Sequence, residues 1–395
     1  MKERFFMASD NDNKTFLIRR IRSILGSLDY FQVIPMLALS IIGILFIYGT
    51  GQQVGGYAAS SFWKKQILWF VIGFCFWIYL AFTDYRNFKH WSVVIYVMSL
   101  IALVIVLLFG LKIYGARRWL QVAGVRIQPS EFAKFAVLLM LSMIMSLKSF
   151  NENKLYNLFI IAAIAFVPFV LILVEPDLGS SLVIIPIVGA LLFISRLKLK
   201  YMIIGGIIGA FLISAEILNE KYEMHPLLKG YQKERILVFL YPERDPENRG
   251  WNQRQSELAV GSGGLYGKGF MQGTQNTLGF LPQTVSNTDF IFSVIAEETG
   301  FTGALFIISM YALLIVAAIR TAALARDQFG MYLATGISAI FFMHSVVNIG
   351  MSVRLMPVTG LPLPLVSYGG SFMLSSMIYL GLLQSIYTHR RKTTA

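Results

Sequence analysis

Residues 255–300 read QSELAVGSGGLYGKGFMQGTQNTLGFLPQTVSNTDFIFSVIAEETG, a polar stretch punctuated by glycine that runs into an apolar helix. Asp289 stands at the join. A carboxylate there either caps the helix starting near Ile291 or acts as an acid–base group beside a flexible loop. Gly261-Ser-Gly-Gly264 can turn main-chain N–H groups toward an anion, although flexible turns produce the same run. No GxxxxGK[ST] frame fits, so the glycines are not those of a nucleotide P-loop.

Outward from this stretch the chain is mostly apolar. Of its 395 residues 56% are hydrophobic and 14% charged, with a mean hydropathy of +0.64. A soluble domain carries about 25% charged residues, so an ordinary soluble enzyme is excluded. Runs long enough to cross a bilayer recur at 30–50, 66–83, 92–113, 130–147, 157–174, 180–195, 201–218, 291–319, 331–350 and 368–388. The expectation is an all-α polytopic membrane protein of about ten transmembrane helices in one domain, 30–388. Residues 219–290 form a large extracytoplasmic loop between spans seven and eight, and 1–29 and 389–395 are cytoplasmic tails. The N-terminal tail lacks a small-residue cleavage site and reads as leading into an uncleaved span.

Charge sets the orientation. With both termini inside, the cytoplasmic segments hold 18 Lys/Arg and the short outer loops 7, leaving out a loop too long for the positive-inside rule. The net charge of +13 is dispersed along membrane flanks, which favours topology and anionic lipid or pyrophosphate as its explanation and argues against nucleic acid. The single cysteine, Cys75, excludes a disulfide within the chain.

Polar residues crowd the outer side. Tyr114–Phe135 reads YGARRWLQVAGVRIQPSEFAKF and contains Arg117, Arg118 and Arg126. Pro129 and Ser130 suit a helix start, and Glu131 and Lys134 share one helical face, as a structural ion pair or a cavity lining. Glu175-Pro-Asp-Leu-Gly-Ser-Ser181 is a tight turn in which Asp177 or Ser180 can cap the next helix. The first half of 219–290 suits one or two amphipathic helices at the interface. Asn348–Ser371 contains Pro357, Gly360, Pro362 and Pro364, which preclude a regular helix and require burial or a wet cavity at that depth.

Five motifs in order, Gly261-Ser-Gly-Gly264, Gly267-Lys-Gly269, Gly273-Thr-Gln275, Phe280-Leu-Pro282 and Thr288-Asp-Phe-Ile-Phe292, together with the Asn348–Ser371 run, resemble the SEDS family typified by RodA and FtsW. The loop, with Glu297-Glu298-Thr-Gly-Phe301, is most similar to the RodA branch, and an FtsW-like division role stays open. Two departures stand out. Phe372 replaces a usual Ser or Ala. Leu281-Pro-Gln-Thr-Val-Ser-Asn-Thr-Asp289 holds two extra residues, with Gln283 for Glu and Asn287 where His is usual.

The resemblance implies an inverting peptidoglycan glycosyltransferase that polymerises lipid II at the outer face of the bacterial cytoplasmic membrane during elongation and shape maintenance. It carries the general-base role to Asp289. Arg117, Arg118, Lys134, Lys268 and Arg354 are the cations expected at the undecaprenyl pyrophosphate, and Glu131 and Asp177 the acids beside the cavity. A divalent cation (Mg or Mn) is expected with the pyrophosphate, without an organic cofactor or a permanent structural metal. Glu297 and Glu298 are at least as suited to pairing or packing as to catalysis. Expected partners are a class B penicillin-binding protein transpeptidase and other elongation-complex membrane proteins. A lipid II flippase, an ion-coupled transporter and a scaffold are the rival readings.

Overall fold

The structure, a computed structural model, describes residues 26–51, 61–207 apart from 114, 115, 123, 152, 196, 199 and 202, then 235, 238, 239 and 249–390. The long helices are α1 (Tyr30–Thr50), α2 (Phe62–Phe82), α3 (Asn87–Phe109), α4 (Pro129–Met145), α5 (Leu155–Val174), α11 (Ile291–Leu324), α12 (Gln328–Ser352) and α13 (Gly370–Thr388). Shorter helices are α6 (Leu178–Leu182), α7 (Ile184–Ile194), α8 (Arg249–Ser262), α9 (Thr274–Thr277) and α10 (Gln283–Ser286). Nine of the ten expected spans are helical. The segment 180–195 is two helices meeting at Val183 rather than one, and 201–218 lies largely outside the described residues, as does most of the amphipathic stretch expected after 219.

Six helices, α1, α2, α3, α5, α11 and α12, are long and apolar enough among the described residues to cross a membrane. The architecture is therefore a polytopic helical membrane protein. Its outward faces are apolar: Trp91, Val94, Met98, Ile101, Leu108 and Phe109 of α3 are all exposed, as lipid contact requires. The polar exceptions turn inward. α4 and α12 hold the bundle centre, where Leu138, Leu139, Leu333 and Ile337 are fully buried.

The first and last long helices meet. Asp29 caps α1, accepting from Phe31 N at 3.1 Å, and its main-chain N–H donates to Gln384 Oε1 of α13 at 3.1 Å. Arg320, at the far end of α11, pairs with the Asp29 carboxylate at 2.5 Å and lies against the rings of Phe31 and Tyr387. The start of α1 and the end of α13 thus share one end of the bundle.

The opposite end holds the irregular elements. Between α3 and α4 the chain forms a small antiparallel sheet, β1 (Leu111–Ile113), β2 (Ala116–Val122) and β3 (Val125–Ile127), in register Lys112↔Arg117 and Gln121↔Arg126. Sequence patterning did not reveal it, because two of its strands have only three residues and carry too little alternation to register. α11 has 34 residues, about 51 Å at 1.5 Å per residue and well beyond a ~30 Å hydrocarbon core. It bends at Gly300 (φ 68°, ψ −164°), a conformation that glycine reaches without cost from a Cβ.

Candidate active site

The run after α12 is the scaffold of the site. Proline and glycine limit residues 357–369 to one local turn, Ser367 N to Leu363 O at 2.9 Å, so their other carbonyls need donors from elsewhere. The surrounding elements supply them. Arg235 donates to Thr359 O, Asn348 Nδ2 to Leu361 O at 2.8 Å, and Tyr311 to Pro364 O. Gln66 of α2 donates to Ser367 O at 3.2 Å and accepts from Gly369 N at 3.3 Å. Ser367 Oγ accepts from Leu363 N at 2.8 Å and donates to Thr288 O. An apparently irregular segment is in this way fixed along its length.

Asp289 is held against that scaffold. Asn348 Nδ2, which binds Leu361 O, also donates to the Asp289 main-chain carbonyl at 2.9 Å, and Tyr368 N donates to Asn287 O at 2.8 Å. The capping role that sequence allowed for Asp289 is not used: Phe290 occupies the N-cap of α11, without a side-chain cap bond. The carboxylate instead faces Gly360. A Cβ on Gly360 would stand 3.5 Å from Asp289 Oδ2 and 3.8 Å from Arg235 Nη2, and Gly360 has φ +76°. Burial raises the Asp289 carboxyl above the usual carboxylate range. Arg235 and Arg118 pull it back, Asp177 pushes it up, and a hydrogen bond from Thr288 lowers it.

The turn after α5 closes another side. Asp177 caps α6 through Ser180 N at 3.2 Å and accepts from Gln128 Nε2 at 3.0 Å, so the capping reading was correct and the residue also faces Asp289. Arg118, carried on β2, donates to Glu175 O at 3.3 Å and to Pro176 O. Gly179 packs so closely that a Cβ would lie 2.8 Å from Thr359 O. Glu175 is 1% exposed, and neither carboxylate oxygen has a hydrogen-bond partner among the described residues. Desolvation, helped by Asp177 and opposed by Arg118, pushes its carboxyl up to about 9. It is a neutral acid at neutral pH.

Glu131 and Lys134 of α4 form a fully buried pair at 2.8 Å. Lys134 Nζ also lies 3.2 Å from His344 Nε2 on α12, and His344 Nδ1 is 3.1 Å from Pro362 O. The departing residue Phe372 covers this group, its ring 5.0 Å from that of His344 and 6.0 Å from Lys134 Nζ.

Three expected cations are engaged elsewhere. Lys268 pairs with Glu297 at 2.7 Å, and Glu297 also accepts from Thr274 Oγ1 and Gln275 N. Glu298 accepts from Met271 N at 2.8 Å. These two acids fasten the glycine-rich loop to the first segment of α11, a pairing role that the sequence had left open beside catalysis. Arg117 closes the C-terminus of α3 through Leu107 O and Leu108 O. Arg354 reaches Glu257 at 3.5 Å on an exposed surface. Of the cations named from sequence, Arg118 acts on Asp289, and Lys134 meets Glu131 and His344. Arg235 was missed, because its neighbours in sequence suggested an interfacial helix and nothing local marks it as a donor to residue 359. His344 and Asn348 were missed as site residues too, although their spacing of four on one helix face was available.

The family model described as a cell cycle protein, FtsW/RodA/SpoVE, matches residues 30–392. Peptidoglycan glycosyltransferase MrdB of Escherichia coli K12 is 37% identical over 385 residues, 97% of this chain and 98% of that protein. Peptidoglycan glycosyltransferase RodA of Treponema pallidum is 33% identical over 431 aligned positions, 93% of this chain and 99% of that one. A solved chain from a peptidoglycan synthase complex that coordinates polymerization and crosslinking superposes with a TM-score of 0.76 at 27% identity, covering 91% of this chain and 97% of that one. The rod shape determining protein RodA of Thermus thermophilus shares the fold, with a TM-score of 0.67 at 24% identity, covering 92% and 98% of the two chains. With the match running from the first residue of α1 to beyond the end of α13, the chain belongs to the FtsW/RodA/SpoVE family, the SEDS proteins, and is most like RodA.

Proposed function

We infer that the chain is a peptidoglycan glycosyltransferase, polymerising lipid II into glycan strands at the outer face of the bacterial cytoplasmic membrane during cell elongation. The observation that carries this is the Asp289 carboxylate, free of any capping duty and set among Arg118, Arg235 and the Gly360 wall. A base and leaving-group cations at one spot are what the transfer requires.

In the proposed step, a sugar hydroxyl of the acceptor attacks the anomeric carbon of the donor. The hydroxyl proton passes to Asp289, and the bond from carbon to the undecaprenyl diphosphate oxygen breaks. Proton removal by a positioned base is worth ~10²–10⁴-fold. A carboxyl held above its ordinary range is the stronger base for it, and Arg235 and Arg118 favour its ionised form. Their guanidinium groups suit the charge that develops on the departing diphosphate. A divalent cation accompanying the diphosphate would offset its charge, and Asp177, whose two oxygens also take Ser180 N and Gln128 Nε2, would be a carboxylate ligand for it.

The meeting of α1 with α13 supports an even number of crossings, in keeping with ten spans and both termini on one side. The excess of Lys/Arg supports placing that side in the cytoplasm and the Asp289 end outside. The relative solved within a synthase complex supports a transpeptidase partner of the class B penicillin-binding type, alongside other elongation-complex membrane proteins. Purified protein incubated with labelled lipid II is expected to give a ladder of glycan strands. Translocation of lipid II across vesicles without any polymer would favour the flippase reading.

A further inference from the structure

His344 is buried, with no accessible surface, and its two ring nitrogens meet groups of opposite character. Nδ1 lies 3.1 Å from Pro362 O, which can only accept. Nε2 lies 3.2 Å from Lys134 Nζ, whose ammonium can only donate. Just one protonation state satisfies both: a neutral imidazole with its proton on Nδ1. An imidazolium would aim an N–H at the ammonium, and the other tautomer would leave a lone pair facing the carbonyl. Phe372 closes the remaining side with its ring.

The bond to Pro362 completes a series. Arg235 takes Thr359 O, Asn348 takes Leu361 O and His344 takes Pro362 O. The carbonyls on either side of Gly360 are thereby pinned, and Gly360 is the wall against which Asp289 Oδ2 rests. His344 and Asn348 are one helical turn apart on α12, so one rigid face sets both the loop and, through Asn348, the Asp289 backbone. Lys134, anchored by Glu131 at 2.8 Å, fixes the tautomer that makes the third bond.

We propose that His344 is a positioning residue for glycosyltransfer: the Glu131–Lys134 pair locks it as the Nδ1–H tautomer, and it in turn holds the 359–362 segment that aligns Asp289 and Arg235. The buried pair then acts on the loop behind the base rather than on the diphosphate. This rests on the glycosyltransferase reading above.

Two isosteric replacements separate the two bonds. His344→Asn sets an amide N–H near the place of Nδ1 and loses the ammonium contact. His344→Gln presents an amide oxygen toward Lys134 and loses the bond to Pro362. Both are compared with the parent and with Asp289→Asn in lipid II polymerisation by the full chain, with thermal melting confirming folding. His344→Gln is expected to lose kcat by about 100-fold, the scale of a misaligned reacting geometry, with KM little changed. His344→Asn is expected to recover most of that loss. If Asp289→Asn is inactive while His344→Gln keeps the parental kcat, or if His344→Asn is as impaired as His344→Gln, the positioning role is overturned and the glycosyltransferase reading stands. If Asp289→Asn itself polymerises at the parental rate, that underlying reading fails instead. Should the variants not fold, ¹⁵N NMR of histidine-labelled parent decides: a neutral ring protonated at Nδ1 is required, and an Nε2–H tautomer or an imidazolium overturns the proposal.

Discussion

Asn348 Nδ2 donates to the main-chain carbonyl of Asp289 at 2.9 Å, and the same amide reaches Leu361 O at 2.8 Å. One side chain on α12 therefore fixes the distance between Asp289 and the loop that faces it. Asn348→Leu removes both donors in the protein interior, where an unsatisfied carbonyl costs about 1–3 kcal/mol. A lower melting temperature and a fall in kcat are expected together, and a variant losing neither would break the link between this contact and the chemistry.

The charges around Asp289 give two predictions of opposite sign. Arg235 lowers the Asp289 carboxyl and Asp177 raises it. Removing Arg235 as Arg235→Gln moves the acid limb of the pH–rate profile to higher pH, and Asp177→Asn moves it to lower pH. Arg235→Gln is also expected to cost about 10²–10³ in kcat if its guanidinium stabilises the leaving group. Shifts of the same sign in both variants would contradict the arrangement.

Lys268 is the comparison. Its ammonium is spent on Glu297, so Lys268→Gln is expected to lower the melting temperature through the loop attachment, to lose less kcat than Arg235→Gln, and to leave the acid limb in place. A displaced acid limb in Lys268→Gln would put that cation back at the reacting centre.

Most of the architecture was legible in the sequence because long apolar runs have one physical outcome in a membrane. Asp289 was legible for a different reason: an acid at the mouth of a span, in a recognisable motif, stands out locally. Its partners did not. Arg235, His344 and Asn348 lie 54, 55 and 59 positions from Asp289 in sequence and act on main-chain carbonyls, which carry no residue identity to read. The opposite error has the same root. Lys268 and Arg354 sit on the right face and have the right charge, but only tertiary packing shows that Glu297 and Glu257 engage them. Phe372, read as a departure from the usual small residue, is the ring that covers Lys134 and His344.

Glu175 yields a stability prediction. Its carboxyl is raised from an ordinary value of 4.5 to about 9 by burial, so the folded protein binds a proton that the unfolded chain releases. The stability linked to it is full below about pH 4.5 and declines as pH rises towards about 9. Glu175→Gln keeps the neutral shape without the titration. Its melting temperature should depend less on pH than the parent's in that window, and equal pH dependence of the two proteins would show that Glu175 is ionised when folded.

Gly360 gives a steric test. A Cβ there would add strain at φ +76° and approach Asp289 Oδ2. Gly360→Ala is expected to lower kcat more than it lowers the melting temperature, as measured on one preparation. A large loss of stability with unchanged turnover in the folded fraction would remove Gly360 from the site.

The most direct test is lipid II polymerisation by Asp289→Asn. The amide keeps the size of the side chain and cannot take the acceptor's proton, and no helix cap is lost with it. A folded Asp289→Asn protein is expected to produce no glycan strands above background across the pH range in which the parent is active. Strand synthesis at the parental rate would contradict Asp289 as the base.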